Sequence, residues 1–94
     1  MRILFVDDEP NILTGVKRMM RPMRKTWKMD FAQSGQKALD FLAENEIDIV
    51  VSDMRMPEMD GGDLLAEVQK KYPWIVRIIL SGYTDYESTR PINF

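Results

Sequence analysis

Residues Ile47 to Val51 form a short, mainly apolar run, interrupted only at Asp48, that stops at Ser52 and one carboxylate, Asp53. Pro57 and the Asp60-Gly61 pair follow, and an apolar pattern at helical spacing then begins. Strand, acid, loop and helix is the order in which an α/β protein presents a side chain at the carboxyl end of a parallel strand. Asp53 is therefore the candidate working residue, and the rest of the chain is read for what it places around it.

The same alternation runs through the chain. Ile3 to Val6 predicts a strand buried on both faces, stopped by Asp7-Asp8-Glu9-Pro10. Pro10 suits a first helical turn. Ile12, Leu13, Val16, Met19 or Met20, and Met23 recur at helical spacing, with Lys17, Arg18 and Arg21 on the opposite face. Pro22 predicts a kink or an end near Arg21. Trp27 to Ala32 reads as a second strand. Ser34-Gly35 opens a helix carried by Ala38, Leu39 and Leu42 that ends near Asn45. Ile47 to Ser52 is the third strand. Gly61 or Gly62 starts a helix with Leu64, Leu65 and Val68 on its buried side, closed by Pro73. Val76 to Leu80 is the fourth strand. Thr84-Asp85-Tyr86-Glu87 has capping-box spacing, and a last helix is expected there, limited by Pro91. Strands alternating with helices in 94 residues predict one domain: a doubly wound parallel sheet with helices on both faces.

Composition removes whole classes of chemistry. With neither histidine nor cysteine, the chain has no Ser-His or Cys-His nucleophile and no imidazole or thiolate metal site. Any metal must be a hard cation on oxygen ligands. A net charge of -2 does not suggest direct nucleic-acid binding. The apolar run at the N-terminus is too short for a signal peptide or a membrane span, and no membrane partner is expected.

If the first and third strands are neighbours, Asp7, Asp8 and Asp53 converge. Three carboxylates that close repel one another unless a cation neutralises them. Mg²⁺ fits, because it takes a few carboxylates and leaves positions for phosphate oxygens. A carboxylate beside such an ion is a nucleophile for a phosphoryl group, giving an aspartyl phosphate. Ser81 offers a hydroxyl donor to a phosphoryl oxygen. Plainer readings stand beside these. Asp7-Asp8-Glu9 suits a helix N-terminus, Asp60-Gly61 suits turn and helix-start chemistry, and Ser81-Gly82 suits an ordinary strand-to-helix turn. Met19, Met20 and Met23 read as core filler, Trp27 and Trp74 as partly buried anchors. Arg21, Arg24, Lys25 and Lys28 read as a solvated basic surface.

Three stretches agree in residue type, order and spacing with a known pattern: Val6-Asp7-Asp8-Glu9, Ser52-Asp53-Met54-Arg55-Met56-Pro57-Glu58-Met59-Asp60-Gly61 and Ile79-Leu80-Ser81-Gly82. The chain resembles, to about Thr89, the receiver domain of response regulators in two-component signalling. The resemblance implies the flavodoxin-like receiver fold with strand order 2-1-3-4-5. It implies that Asp53 accepts a phosphoryl group from a histidine kinase or phosphotransfer protein. It implies that Asp8, Asp53 and the backbone carbonyl of Arg55 hold Mg²⁺, with Asp7 helping through water, and that Ser81 is the switch hydroxyl. A bacterial, cytoplasmic signalling module without enzymatic turnover is expected, joined to an output domain that these residues do not name.

Receivers continue through a fourth helix, a fifth strand ending in lysine and a fifth helix. These have no counterpart here, and Arg90-Pro91 sits badly in the expected fourth helix. The expectation is therefore a single, incomplete receiver domain over residues 1–94, lacking the fifth strand and fifth helix. Arg77 to Leu80 would then be an exposed apolar sheet edge, through which a homodimer is expected. Other functions compete. A truncated, self-associating fragment would not switch. A Mg²⁺-dependent phosphohydrolase with an aspartyl nucleophile would, in haloacid-dehalogenase-like enzymes, carry a second Asp two positions on, where this chain has Arg55. A nucleotide-binding domain needs a Gly-rich loop where Asp7-Asp8-Glu9-Pro10 stands.

Overall fold

The computed structural model describes residues 1–80 and 92–93. The elements in chain order are β1 (Arg2–Val6), α1 (Pro10–Met19), a 3₁₀ turn (Arg21–Met23), β2 (Lys28–Ala32), α2 (Gly35–Glu44), β3 (Ile49–Asp53), α3 (Gly61–Lys71), β4 (Val76–Leu80) and β5 (Ile92–Asn93). One sheet has the order β2-β1-β3-β4-β5. Its first four strands are parallel and β5 is antiparallel to β4.

Period-two alternation along the strands divides the core. Leu4, Val6 and Val50 point to one face, where Ala38 and Leu42 of α2 and Leu64, Leu65 and Val68 of α3 cover them. Ile3, Phe5 and Val51 point to the other, against Leu13 and Val16 of α1 and Met20 at its C-terminal cap. Both faces of β1 and β3 are thus buried, which explains their unbroken apolar runs. The helix starts are built as the sequence implies. Ser34 Oγ accepts from the Lys37 N–H at 3.1 Å, and Asp60 Oδ1 accepts from the Asp63 N–H at 2.8 Å.

Several expectations are corrected. Of the first helical stripe, Leu13, Val16 and Met20 join the hydrophobic core on the sheet. Ile12 is 50% exposed and Met19 70%, because both lie on one flank of that stripe, roughly 70–90° of helix from its centre. Pro22 ends α1 at Met19, as expected, and the 3₁₀ turn then carries Met23 off the stripe too, leaving it exposed. Trp74 is not a buried anchor: it is 71% exposed, edge-on to Tyr72 at 5.8 Å. The outer edge of β4 is not wholly bare, since Ile79 pairs with Ile92 and Ile78 with Asn93. A parallel fifth strand is not found among the described residues. The helix expected from Thr84 lies outside them.

The loop after β3 folds back tightly. The Gly61 N–H donates to Met54 O at 2.8 Å, and a Cβ on Gly61 would collide with the backbone carbonyl of Asp53. Gly61→Ala is therefore expected to destabilise the chain by about 1–3 kcal/mol through a forced backbone shift. Urea unfolding monitored by circular dichroism checks this, and an unchanged midpoint would contradict it.

Candidate functional site

β1 and β3 lie side by side, with Val6 opposite Ser52. The residues just beyond that pair, Asp7 and Asp53, emerge together at the carboxyl end of the sheet, and Asp8 follows. One carboxylate oxygen from each of Asp7, Asp8 and Asp53 lies within 4.8 Å of the others. The predicted convergence is therefore what the strand register produces. The carboxylates face a cleft of about 470 Å³, whose wall also includes Asn11, Arg55 and Leu80.

Local hydrogen bonds hold two of the three acids, Asp7 and Asp53. Asp7 Oδ1 accepts from the Glu9 N–H at 2.9 Å, so Asp7 both serves the turn into α1 and belongs to the cluster. The Asp7 N–H donates to Ala32 O at 3.1 Å, tying the end of β1 to β2. Beneath Asp53, Ser52 is fully buried, and its hydroxyl donates to Asp53 O at 2.9 Å. Downstream, Glu58 adopts the left-handed region at φ 66°, and the Met59 N–H donates to Pro57 O at 2.7 Å across it. Such a three-residue turn is unusual for a non-glycine residue and gives the loop beside the cleft a defined shape.

Burial pushes the Asp53 carboxyl above its usual range, and the charges of Asp7 and Asp8 push it further. The backbone N–H groups of Met54 and Arg55 oppose the shift by hydrogen bonding to the carboxylate. A group held in this balance is stabilised by any cation that enters the cleft. Three carboxylates converging on one point form a hard oxygen donor set, which suits Mg²⁺.

Arg55, proposed for its backbone carbonyl, lines the same cleft. Ser81 lies outside the described residues. Sequence reading missed Asn11, Ile12 and Leu80 as cleft walls. The signal for Leu80 was available, because a β4 in register with β3 places it opposite Asp53. Ile12 was assigned to the core by its apolar type, and nothing local marks it as a wall.

Comparison with known proteins gives a consistent picture. Residues 3–91 match the family model described as the response regulator receiver domain. The chain is 41% identical over 85 residues to the sensor kinase CckA of Brucella abortus, covering 88% of this chain and 9% of that protein. It spans less than a fifth of the length of the first curated relatives it matches. The response regulator TrrA of Thermotoga maritima, solved in complex with Mg²⁺-BeF, superposes with a TM-score of 0.80 at 34% identity, covering 94% of this chain and 75% of that one. In the complex of histidine kinase ThkA with TrrA, the match has a TM-score of 0.79 at 34% identity, covering 93% and 73%.

The electrostatics predict a pH dependence. The unfolded chain releases the Asp53 proton near pH ~3.9, whereas the folded chain holds it to higher pH. Between those values the native state binds more protons, so stability falls as pH rises, and the deficit is complete above the folded pKa. Asp53→Asn removes the charge. In metal-free buffer the variant is expected to melt above the parent at about pH 7, with the advantage shrinking as pH falls toward ~3.9. Thermal melts with EDTA across that range measure this; an advantage independent of pH would contradict the electrostatic origin.

Proposed function

The chain belongs to the response-regulator receiver family, and from that premise we propose that it is a phospho-acceptor module whose acceptor is Asp53. The observation that carries this reading is the convergence of Asp7, Asp8 and Asp53 on one cleft at the carboxyl end of β1 and β3. The donor is a phosphohistidine on a histidine kinase or phosphotransfer protein. A carboxylate oxygen of Asp53 attacks phosphorus, the P–N bond breaks, and the imidazole leaves with its electron pair. The N–H groups of Met54 and Arg55 favour the ionised nucleophile, in opposition to the burial and acidic neighbours that favour its protonated form.

Asp8, Asp53 and the backbone carbonyl of Arg55 are the proposed Mg²⁺ ligands, with Asp7 acting through water. When bound, the ion offsets negative charge on the phosphoryl oxygens. Ser81, assigned from the sequence resemblance, is the hydroxyl that would donate to a phosphoryl oxygen. The module is read as a non-enzymatic signalling element. Arg55 stands where an aspartyl-nucleophile phosphohydrolase of the haloacid-dehalogenase type needs a second acid. No helix among the described residues is long and apolar enough to cross a membrane, and a cytoplasmic setting is proposed on the strength of a kinase donor.

Two measurements test the reading. Acetyl phosphate with Mg²⁺ is expected to add the mass of one phosphoryl group to the intact chain at Asp53, and none to Asp53→Ala. A folded parent that gains no mass, and shows no Mg²⁺-dependent beryllofluoride adduct, would overturn acceptor function. By calorimetry, Mg²⁺ affinity is expected to fall about tenfold or more in Asp8→Ala and Asp53→Ala and less in Asp7→Ala. Equal affinity in all three would refute the ligand assignment. Tryptophan emission is the wrong readout, because Trp27 and Trp74 precede the amino ends of β2 and β4, at the pole opposite Asp53.

A further inference from the structure

Charge is segregated along this chain. Six of its 13 basic residues and none of its 15 acidic residues fall within residues 10–29. Residues 40–63 carry eight acidic residues and one basic residue, Arg55. The fold brings one end of each segment to the same pole. Lys28 is the first residue of β2, Asp48 immediately precedes β3, and Ile75 immediately precedes β4. Because those strands are parallel and in register through β1, these three residues mark the amino end of the sheet.

Two concavities open at or beside this pole. One, of about 270 Å³, has an apolar floor of Trp27, Met29 and Phe31 and a rim of Lys17, Arg21, Arg24 and Lys28. The other, of about 540 Å³, carries Glu44, Glu46 and Asp48 around Tyr72 and Trp74. Trp74 stands 71% exposed beside those acids. Among the described residues, none of the four rim cations has an ion-pair partner, and neither do Glu44 and Glu46. The described residues therefore display a cationic hole with an aromatic floor and an anionic surface with an aromatic knob.

We propose that this pole is a self-association surface, on which Trp74 of one copy enters the cation-rimmed pocket of a second copy while Glu44 and Glu46 meet Arg21 and Arg24. Tryptophan flanked by charge is the residue type that dominates interface energetics, and an indole face attracts the guanidinium groups of such a rim. Knob and hole belong to the same end of one chain. A two-fold axis can therefore make the contact twice, each copy giving its Trp74 and receiving the partner's. Two such contacts reinforce each other where a single exposed ion pair contributes little. A second copy is favoured over a foreign acidic segment because its acids and its aromatic are already present in the complementary arrangement. A net charge of only -2 leaves little long-range repulsion between copies. The Asp53 clefts face away from this contact, so association is expected to be indifferent to Mg²⁺ and beryllofluoride.

Sedimentation equilibrium on the 94-residue chain, from about 10 µM to about 1 mM, tests the proposal. The parent is expected to dimerise reversibly, with association weakened by added salt. Arg21→Glu with Arg24→Glu and, separately, Glu44→Lys with Glu46→Lys should each give a monomer, and mixing the two variants should restore the dimer. All four side chains are exposed, so circular dichroism should show both variants folded. Trp74→Ala, which alters no charge, is expected to weaken association about tenfold or more and keeps the test decisive if a charge variant misfolds. A parent monomeric throughout the range overturns the proposal. So does a mixture that stays monomeric, or a dimer indifferent to all these substitutions, which would place the contact elsewhere, such as the β4 edge.

Discussion

The repulsion among Asp7, Asp8 and Asp53 is the constraint on which the site depends. Side chains free to move would separate. Here the backbone that carries Asp7 and Asp53 is held in place by the sheet and its core. Val6 is paired to Ser52, the Asp7 N–H is tied to Ala32 O, and the Ser52 hydroxyl is bonded to Asp53 O. Leu4, Val50 and Ser52, the residues behind the acids, have no solvent exposure. The apolar core thus supplies the force that keeps three like charges together. Burial first, and the charges of Asp7 and Asp8 after it, raise the proton affinity of Asp53, so the repulsion adds to a cost that desolvation has already imposed. A cation or a phosphoryl-cation pair entering the cleft relieves it, which is how a rigid sheet becomes sensitive to a small ligand.

Much of this was legible in the sequence because the relevant signals are local. Apolar runs broken by an acid, Ser34 and Asp60 as helix caps, and Pro22 as a helix stop each act within a few residues. The convergence of the acids needed one further step, that β1 and β3 be neighbours. Alternation alone does not supply it, and it came from the resemblance to receiver domains, which implies the strand order 2-1-3-4-5. The role of Gly61 was read as helix-start chemistry. Its deeper reason, the passage of the loop against the Asp53 carbonyl, is a contact between backbone segments and leaves no signature in residue type.

What was misread shares a physical cause. Ile12, Met19 and Met23 were assigned to the core, and Trp74 read as a partly buried anchor, by apolar character, yet a residue is buried only where another element covers it. Helical periodicity marks a stripe but not its width, and the hydrophobic contact with the sheet is carried by Leu13, Val16 and the cap residue Met20. Trp74 sits between Pro73 and Ile75, in a turn where Ile75 takes the buried position. The antiparallel pairing of Ile92–Asn93 to β4 was equally out of reach. Two residues carry no periodicity, and only a free edge with open hydrogen-bonding groups makes such pairing favourable.

A parallel sheet also has two unlike ends, and here they carry different chemistry. The carboxyl ends of β1 and β3 present acids in want of a cation. The amino ends present cations beside Trp27, and Glu44 and Glu46 near Trp74, that have no ion-pair partner among the described residues. Residues along the strands between these ends are mostly buried and tightly packed, so neither end can relax its charges through the other. Whatever neutralises one pole therefore leaves the other to find its own partner. The exposed apolar side chains of Met19 and Met23 precede and follow Arg21 at the second pole, so contact there would remove apolar surface as well as pair charge. That combination distinguishes a pole built to be covered from a merely solvated one, where cations and acids would be interleaved and apolar side chains turned inward.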